Sequence, residues 1–198
     1  MVGDQIQDIL FHGENVLWQG KPKKLPYIFR NSIALLPVAF IFFAFDAFFI
    51  YMTFSTGAEV PREMVIFMIG FFAFHLLPVW IFAGKLLKSI AEHKNIHYTV
   101  TDRRIIARSG LMGADFNSAD YGDITDVRVN VSPIERLCNC GTVSIATGAG
   151  TVDFLSVSEP YVLYKQLNKI LIDLKYDMHY PNAYRPQTNP GYNTEYKP

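Results

Sequence analysis

The chain has 198 residues and equal numbers of acidic and basic side chains, 18 of each, so its formal net charge is zero. This balance gives no reason to expect a nucleic-acid partner. Charged residues make up 18% of the chain, below the roughly 25% of soluble domains. Asp46 is the only one between residues 31 and 58, and there is none between residues 64 and 84. The composition therefore argues against one large soluble core and favours membrane spans.

Residues 1–30 contain acids, glycine and proline but no apolar core of the secretory type. We therefore expect no cleavable signal peptide. We interpret these residues as a cytosolic N-terminal segment.

Two apolar stretches, at about residues 33–54 and 64–84, each predict a membrane-spanning helix. The first would be about 33 Å long at 1.5 Å per residue, enough to cross a hydrocarbon core of about 30 Å. A short polar loop joins them, so residues 31–88 are predicted to form a two-helix transmembrane hairpin. Basic residues flank the hairpin at both ends, whereas the loop carries only Arg62. This bias predicts a multi-pass membrane protein with both termini in the cytosol.

Two ionisable residues, Asp46 and His75, fall inside the predicted spans. One interpretation is an ion or proton relay, in which the chain is a small subunit of a transport or channel assembly. The other is a polar contact that fastens the hairpin or an oligomer. We favour the second, since two residues are too few to define a conduction path. Pro37 and Pro78 are predicted to kink their helices.

Beyond Lys88 the apolar residues alternate, which predicts short antiparallel strands. The clearest hairpin is "YTVTDRRIIARSG", with a turn at Asp102. Six strands are predicted, at residues 96–101, 104–109, 115–121, 124–131, 142–147 and 151–157.

One amphipathic helix should follow, with Ser158 as its N-cap. Its apolar face is formed by leucine and isoleucine at helical spacing: Leu163, Leu167, Ile170, Leu171 and Leu174. The predicted domain spans residues 92–176. Residues 177–198, rich in Pro, Asn and Tyr, are predicted to be a disordered tail.

Four segments resemble the bacterial pleckstrin-homology-like membrane proteins: "GENVLWQGKP", "YTVTDRRIIARSG", "DITDVRVNVSPIERLCNCGTVSIAT" and "LSVSEPYVLYKQL". The resemblance implies an α+β domain, a bent antiparallel β-sandwich or barrel of about seven strands capped by a C-terminal helix. The alternation accounts for only six of those strands. The resemblance also implies a non-catalytic binding or scaffolding role. The sequence departs from the family at "LCNCG", where a glycine-rich turn is more usual.

No Gly-rich phosphate loop, metal-spaced His/Cys cluster or nucleophile–His–acid set is recognisable in the sequence. We therefore expect no catalytic residues, no cofactor and no metal. A thiol-redox enzyme that uses Cys138 and Cys140 is the rival hypothesis. Their spacing does not suit a structural disulfide within one strand.

Basic residues near the predicted membrane form the last candidate site. Lys85, Lys88, Arg103, Arg104 and Arg108 could face anionic lipid of the inner leaflet. Solvated arginines at a turn are an equally good interpretation. The spacing in "RRIIAR" does not imply phosphoinositide recognition. The expected partners are therefore membrane lipids, an unknown protein and, in an oligomer, a second copy of the chain.

Overall fold

The structure is a computed structural model that describes residues 9–55, 57, 59–111 and 113–179. The chain divides into two compact units. One is Tyr27–His93; the other combines the residues that precede it with those that follow it.

The helices and strands are numbered in chain order. The helices are α1 (Lys24–Arg30), α2 (Leu36–Ser55), α3 (Arg62–His75), α4 (Leu77–His93), α5 (Pro133–Leu137) and α6 (Pro160–His179). The strands are β1 (Val16–Gly20), β2 (His97–Thr101), β3 (Arg104–Ser109), β4 (Asp115–Asp120), β5 (Ile124–Asn130), β6 (Cys140–Thr147) and β7 (Gly150–Ser158).

One long apolar helix, Ile33–Ser55, begins with a 3-10 turn and continues as α2. It has 23 residues, and only 11% of its most apolar window is buried. By length and composition this helix can cross a membrane. It coincides with the first predicted span. Pro37 lies in the first turn of α2, where a missing N–H breaks no helical hydrogen bond.

The second predicted span is not one straight helix. Its residues fall on α3 and α4, which are bent by 52° relative to each other. The break lies at Leu76, two residues before Pro78, as expected for a residue that cannot donate a helical hydrogen bond. The structure therefore has one helix able to cross a membrane, or two spans if the bent pair counts as one. The two-span hairpin stays a prediction.

The other unit contains two antiparallel sheets, of order β1-β2-β3-β4 and β5-β6-β7. All six predicted strands are present in the described residues. The seventh is β1, which pairs with β2 and places Trp18 opposite Val100. The sequence alone assigns these residues to a separate segment, 1–30, and begins the domain at residue 92. In the structure, β1 precedes the apolar helices in the chain but belongs to the sheet of that domain. It brings the number of strands to the seven that the family resemblance implies.

The core of this unit lies between the sheets and under α6. Val143, Ile145 and Phe154 of the second sheet are fully buried, and the Phe154 ring stacks on Tyr98 of the first with centroids 4.7 Å apart. Leu167 of α6 is also fully buried, and this helix packs on β5 and β6. The capping helix is thus confirmed.

The helix begins one residue later than predicted, at Pro160. Ser158 is not its N-cap but the last residue of β7, paired with Cys140. The next residue, Glu159, takes a positive φ of 52°, and its carbonyl accepts the N–H groups of Val162 and Leu163. The helix continues to His179, so it includes the first three residues of the predicted tail. Residues 180–198 lie outside the described residues.

Candidate functional site

Arg104, one of the candidate lipid-facing residues, is largely covered by the N-terminal segment. Its side chain is only 13% exposed. Nε and Nη2 donate to the two carboxylate oxygens of Glu14 over 3.0 and 3.1 Å, and Nη2 also donates to the Ile9 carbonyl. The guanidinium lies 4.2 Å from the centre of the Phe11 ring. Arg104 therefore fastens the N-terminal segment to the β2–β3 hairpin.

The same contacts keep the carboxyl group of Glu14 ionised. Burial alone would raise its pKa, but hydrogen bonds from Arg104, the Phe11 N–H and the Thr101 hydroxyl hold the pKa below its ordinary value. A charged Glu14 thus faces a charged Arg104, and the pair is bidentate. No local pattern could reveal this contact, since 90 residues separate the partners.

Arg108 is also removed from the predicted lipid-facing set. It is 8% exposed, and its guanidinium lies 5.9 Å from the centre of the Phe116 ring. Its Nε and Nη1 atoms are buried without a hydrogen-bond partner in the described part of the chain. Of the five basic candidates, Lys85, Lys88 and Arg103 are exposed.

Substitutions of the neighbouring residues Arg103 and Arg104 should differ in their effect on stability. We expect Arg104→Gln to destabilise the full chain by about 3–5 kcal/mol, because Glu14 would be left buried without its cation. Arg103→Gln should change stability by less than about 0.5 kcal/mol, because Arg103 is exposed. Denaturant unfolding in detergent micelles, followed by tryptophan fluorescence, measures both. Equal losses would show that the Glu14 contact does not stabilise the fold.

The structure brings the two intramembrane candidates together. Nδ1 of His75, the last residue of α3, lies 2.7 Å from Oδ1 of Asp46 on α2. Three phenylalanine rings lie within 5.6 Å of the imidazole, centroid to centroid: Phe42, Phe45 and Phe71. Asp46 is 2% exposed. A single polar contact among aromatic rings matches the interpretation that this pair fastens the helices.

The two cysteines are free thiols on either side of the turn that follows α5. The Cys140 thiol is buried and donates to the Glu135 carbonyl over 3.5 Å. Burial and the nearby Glu135 carboxylate raise its pKa to about 11. Since the thiolate is the reactive form, Cys140 is poorly suited to the redox role of the rival hypothesis.

A groove of about 540 Å³ opens beside this turn. It lies between the end of α5 and the start of α6, and sequence reasoning did not find it. Its lining mixes apolar and charged residues: Val131, Arg136, Asn139, Cys140, Glu159, Pro160 and Tyr161. Gly141 lies beneath it. A side chain there would come within 2.9 Å of Pro160 and Val131, so glycine is what lets the two walls approach so closely.

A buried carboxylate holds α5 in place beside the groove. Glu135 accepts hydrogen bonds from the Thr142 and Ser156 hydroxyls over 2.7 and 2.9 Å and from the Ser132 N–H over 2.9 Å. With Ser132 it forms a capping box. Burial alone would raise the pKa of Glu135, but these hydrogen bonds hold it below its ordinary value. The pattern "SPIE" is the signal that could have found this helix.

Lys23 joins the N-terminal segment to the same turn. Its Nζ donates to the carbonyls of Cys138 and Asn139 over 2.7 and 3.2 Å. Its backbone N–H donates to the Ser156 carbonyl over 2.8 Å. The ammonium thus lies at the C-terminal end of α5, where unpaired helix carbonyls favour a cation.

Comparison with known proteins identifies the family of the chain. The family described as "Bacterial PH domain" matches residues 33–170. The match covers more than half of the chain and leaves out β1. No curated protein and no solved structure matches the chain. Among the described residues, no group of three or more His, Cys, Asp or Glu side chains could hold a metal ion.

Proposed function

The chain belongs to the bacterial PH domain family, and from this membership we propose that it is a non-catalytic, membrane-anchored binding or scaffolding protein. A PH-like domain suggests a binding or scaffolding role in general terms. The proposal adds an anchor in the bacterial inner membrane, made by the apolar helices. It places the PH-like domain and both termini in the cytosol.

The exposed apolar surface of the helix Ile33–Ser55 carries this proposal. Large side chains project from it without protein cover: Phe40 is 67% exposed, Phe48 62% and Tyr51 68%. A core helix of a soluble protein is mostly buried, whereas only 11% of this one is. A helix that is apolar on every side needs an apolar surrounding, and lipid supplies it.

The bent pair α3–α4 supports the anchor in the same way. Phe67 is 71% exposed and Phe74 is 75% exposed. Lys85 and Lys88 follow on α4 as exposed cations, as expected where a helix leaves the bilayer on its cytosolic side. Within the domain, the groove beside α5 supports a binding role, since ligand sites are concave and mix apolar walls with a few polar groups.

Membrane extraction and topology reporters test the proposal. The full chain should stay in the membrane pellet after an alkaline carbonate wash, and a reporter fused after Pro198 should be active only in its cytosolic form. A reporter at Gly57 should be active only in its exported form. Release by carbonate would contradict the anchor. The reverse reporter pattern would contradict the orientation alone.

The alternative of a transport or channel subunit that uses Asp46 and His75 is not proposed. The structure adds a 2.7 Å contact between them. This contact does not favour transport, because a pair that only holds two helices together makes the same contact.

A further inference from the structure

One leucine stands out on the surface of the PH-like domain. Leu137, at the end of α5, is 86% exposed, more than any other large apolar side chain in the described residues, including those of the apolar helices. Single exposed leucines are common on protein surfaces. A role for Leu137 must therefore be argued from its position in the chain and from the residues around it.

The turn that carries Leu137 is bonded to the segment that leads into the membrane anchor. Lys23 donates to the two carbonyls that directly follow Leu137, those of Cys138 and Asn139. Two residues after Lys23 comes Leu25, which is 62% exposed. The apolar helix begins at Ile33, eight residues further on, a distance of at most about 29 Å even in a fully extended chain.

Exposed cations accompany both leucines. Lys24 precedes Leu25, and Arg136 precedes Leu137, and both basic residues are exposed. Apolar side chains that alternate with basic ones are the composition of surfaces that bind anionic lipid at the bilayer interface. In the β2–β3 hairpin, the earlier candidate, Arg103 is the exposed arginine, because the Arg104 side chain is only 13% exposed and Arg108 is buried.

We propose that Leu137 and Leu25 form a membrane-contact surface, in which both side chains enter the interface of the bilayer that holds the apolar helices, while Arg136 and Lys24 face its headgroups. This proposal rests on the proposed membrane anchor. It fixes which side of the PH-like domain faces lipid. The groove that Arg136 lines then opens next to the headgroups.

Site-directed fluorescence on the full chain tests this surface. Cys138→Ser removes the more accessible thiol, and Cys140 stays unlabelled near neutral pH because it is buried and its pKa is raised to about 11. Single cysteines are then introduced as Leu137→Cys and Leu25→Cys and labelled with a polarity-sensitive dye. The labelled chains are reconstituted into vesicles of neutral and anionic phospholipid. Quenching by lipids brominated on their acyl chains is compared with quenching by aqueous iodide.

Three further positions serve as controls. Arg103→Cys tests the earlier hairpin site, Asp153→Cys tests an exposed position on β7, and Phe48→Cys tests the apolar helix itself. All three native residues are exposed, so the substitutions do not disturb the core.

We expect dyes at positions 137 and 25 to lose most of their fluorescence to brominated lipid and little to iodide. Dyes at positions 103 and 153 should behave in the opposite way. If position 48 is quenched by lipid but positions 137 and 25 respond only to iodide, the contact surface is wrong and the anchor stands. If position 48 also fails to respond to lipid, the proposed anchor itself is wrong. Protection of position 137 from both quenchers would show that a protein covers it, which also overturns the proposal.

Discussion

Glu135→Ala should destabilise the PH-like domain by about 3–5 kcal/mol. The substitution removes the acceptor for the Thr142 and Ser156 hydroxyls and leaves these donors buried, at about 1–3 kcal/mol for each unsatisfied group. It also removes one half of the capping box of α5. Denaturant unfolding of the full chain in micelles measures the loss, with Trp18 as the reporter in a Trp80→Phe background.

Asp153→Ala is the matched control, because Asp153 is an exposed acid on β7. It should change stability by less than about 0.5 kcal/mol. If the two alanine variants unfold at the same denaturant concentration, Glu135 does not hold α5 in place.

The dependence on pH gives the same prediction a second measurement. The folded-state pKa of Glu135 is held below its ordinary value of 4.5, so its stabilising effect is present above that value and is lost as pH falls through the folded pKa. The free energy of unfolding of the chain should therefore fall below about pH 4.5. In Glu135→Gln it should fall by less over the same pH range. Part of the acid sensitivity should persist in the variant, since the pKa of Glu14 is lowered in the same sense.

The alternation of apolar residues was enough to predict six of the seven strands. In β2 and β3, the apolar residues Tyr98, Val100 and Ile105 are all at most 3% exposed. Thr99, Thr101 and Ile106 are buried as well, so the other face of these strands is also covered. The missing strand, β1, is five residues long and ends in glycine. It pairs with a strand about eighty residues further along the chain. Nothing in a local window signals such a pairing.

The surroundings of the candidate site residues were harder to predict than the strands. The sequence gives the charge of a residue but not its exposure. The segment "RRIIAR" therefore predicts a basic surface, whereas in the structure Arg104 is paired with Glu14. The pairing of Asp46 with His75 was foreseeable, because each was the lone ionisable group on its apolar stretch and a charge in lipid needs a partner. The groove beside α5 was not, because its walls come from separate elements that meet only in the folded domain.

Removing β1 should prevent the PH-like domain from folding cooperatively. A fragment of residues 92–178 matches the domain as the alternating strands define it, yet it lacks three contacts of the N-terminal segment. These are the carboxylate partner of Arg104, the Lys23 contact at the end of α5, and the Trp18 ring stacked 6.1 Å from Phe154. The fragment thus loses a bidentate, charge-assisted ion pair and an aromatic contact of the core, which together are a sizeable part of the roughly 5–15 kcal/mol by which domains are stable. The exposed edge of β2 also invites aggregation.

A second fragment provides the matched control. It keeps residues 9–26 and 94–179 and replaces the helical unit, Tyr27–His93, with a long flexible Gly/Ser linker. This fragment should be soluble and should melt in one cooperative transition, because all seven strands, the Glu14–Arg104 ion pair and the Lys23 hydrogen bonds are restored. Trp18→Ala within it should lower the melting temperature without abolishing folding, since Trp18 is only half-buried. If both fragments melt cooperatively at the same temperature, β1 is an accessory to the sheet, and the domain is complete without the segment that precedes the membrane anchor.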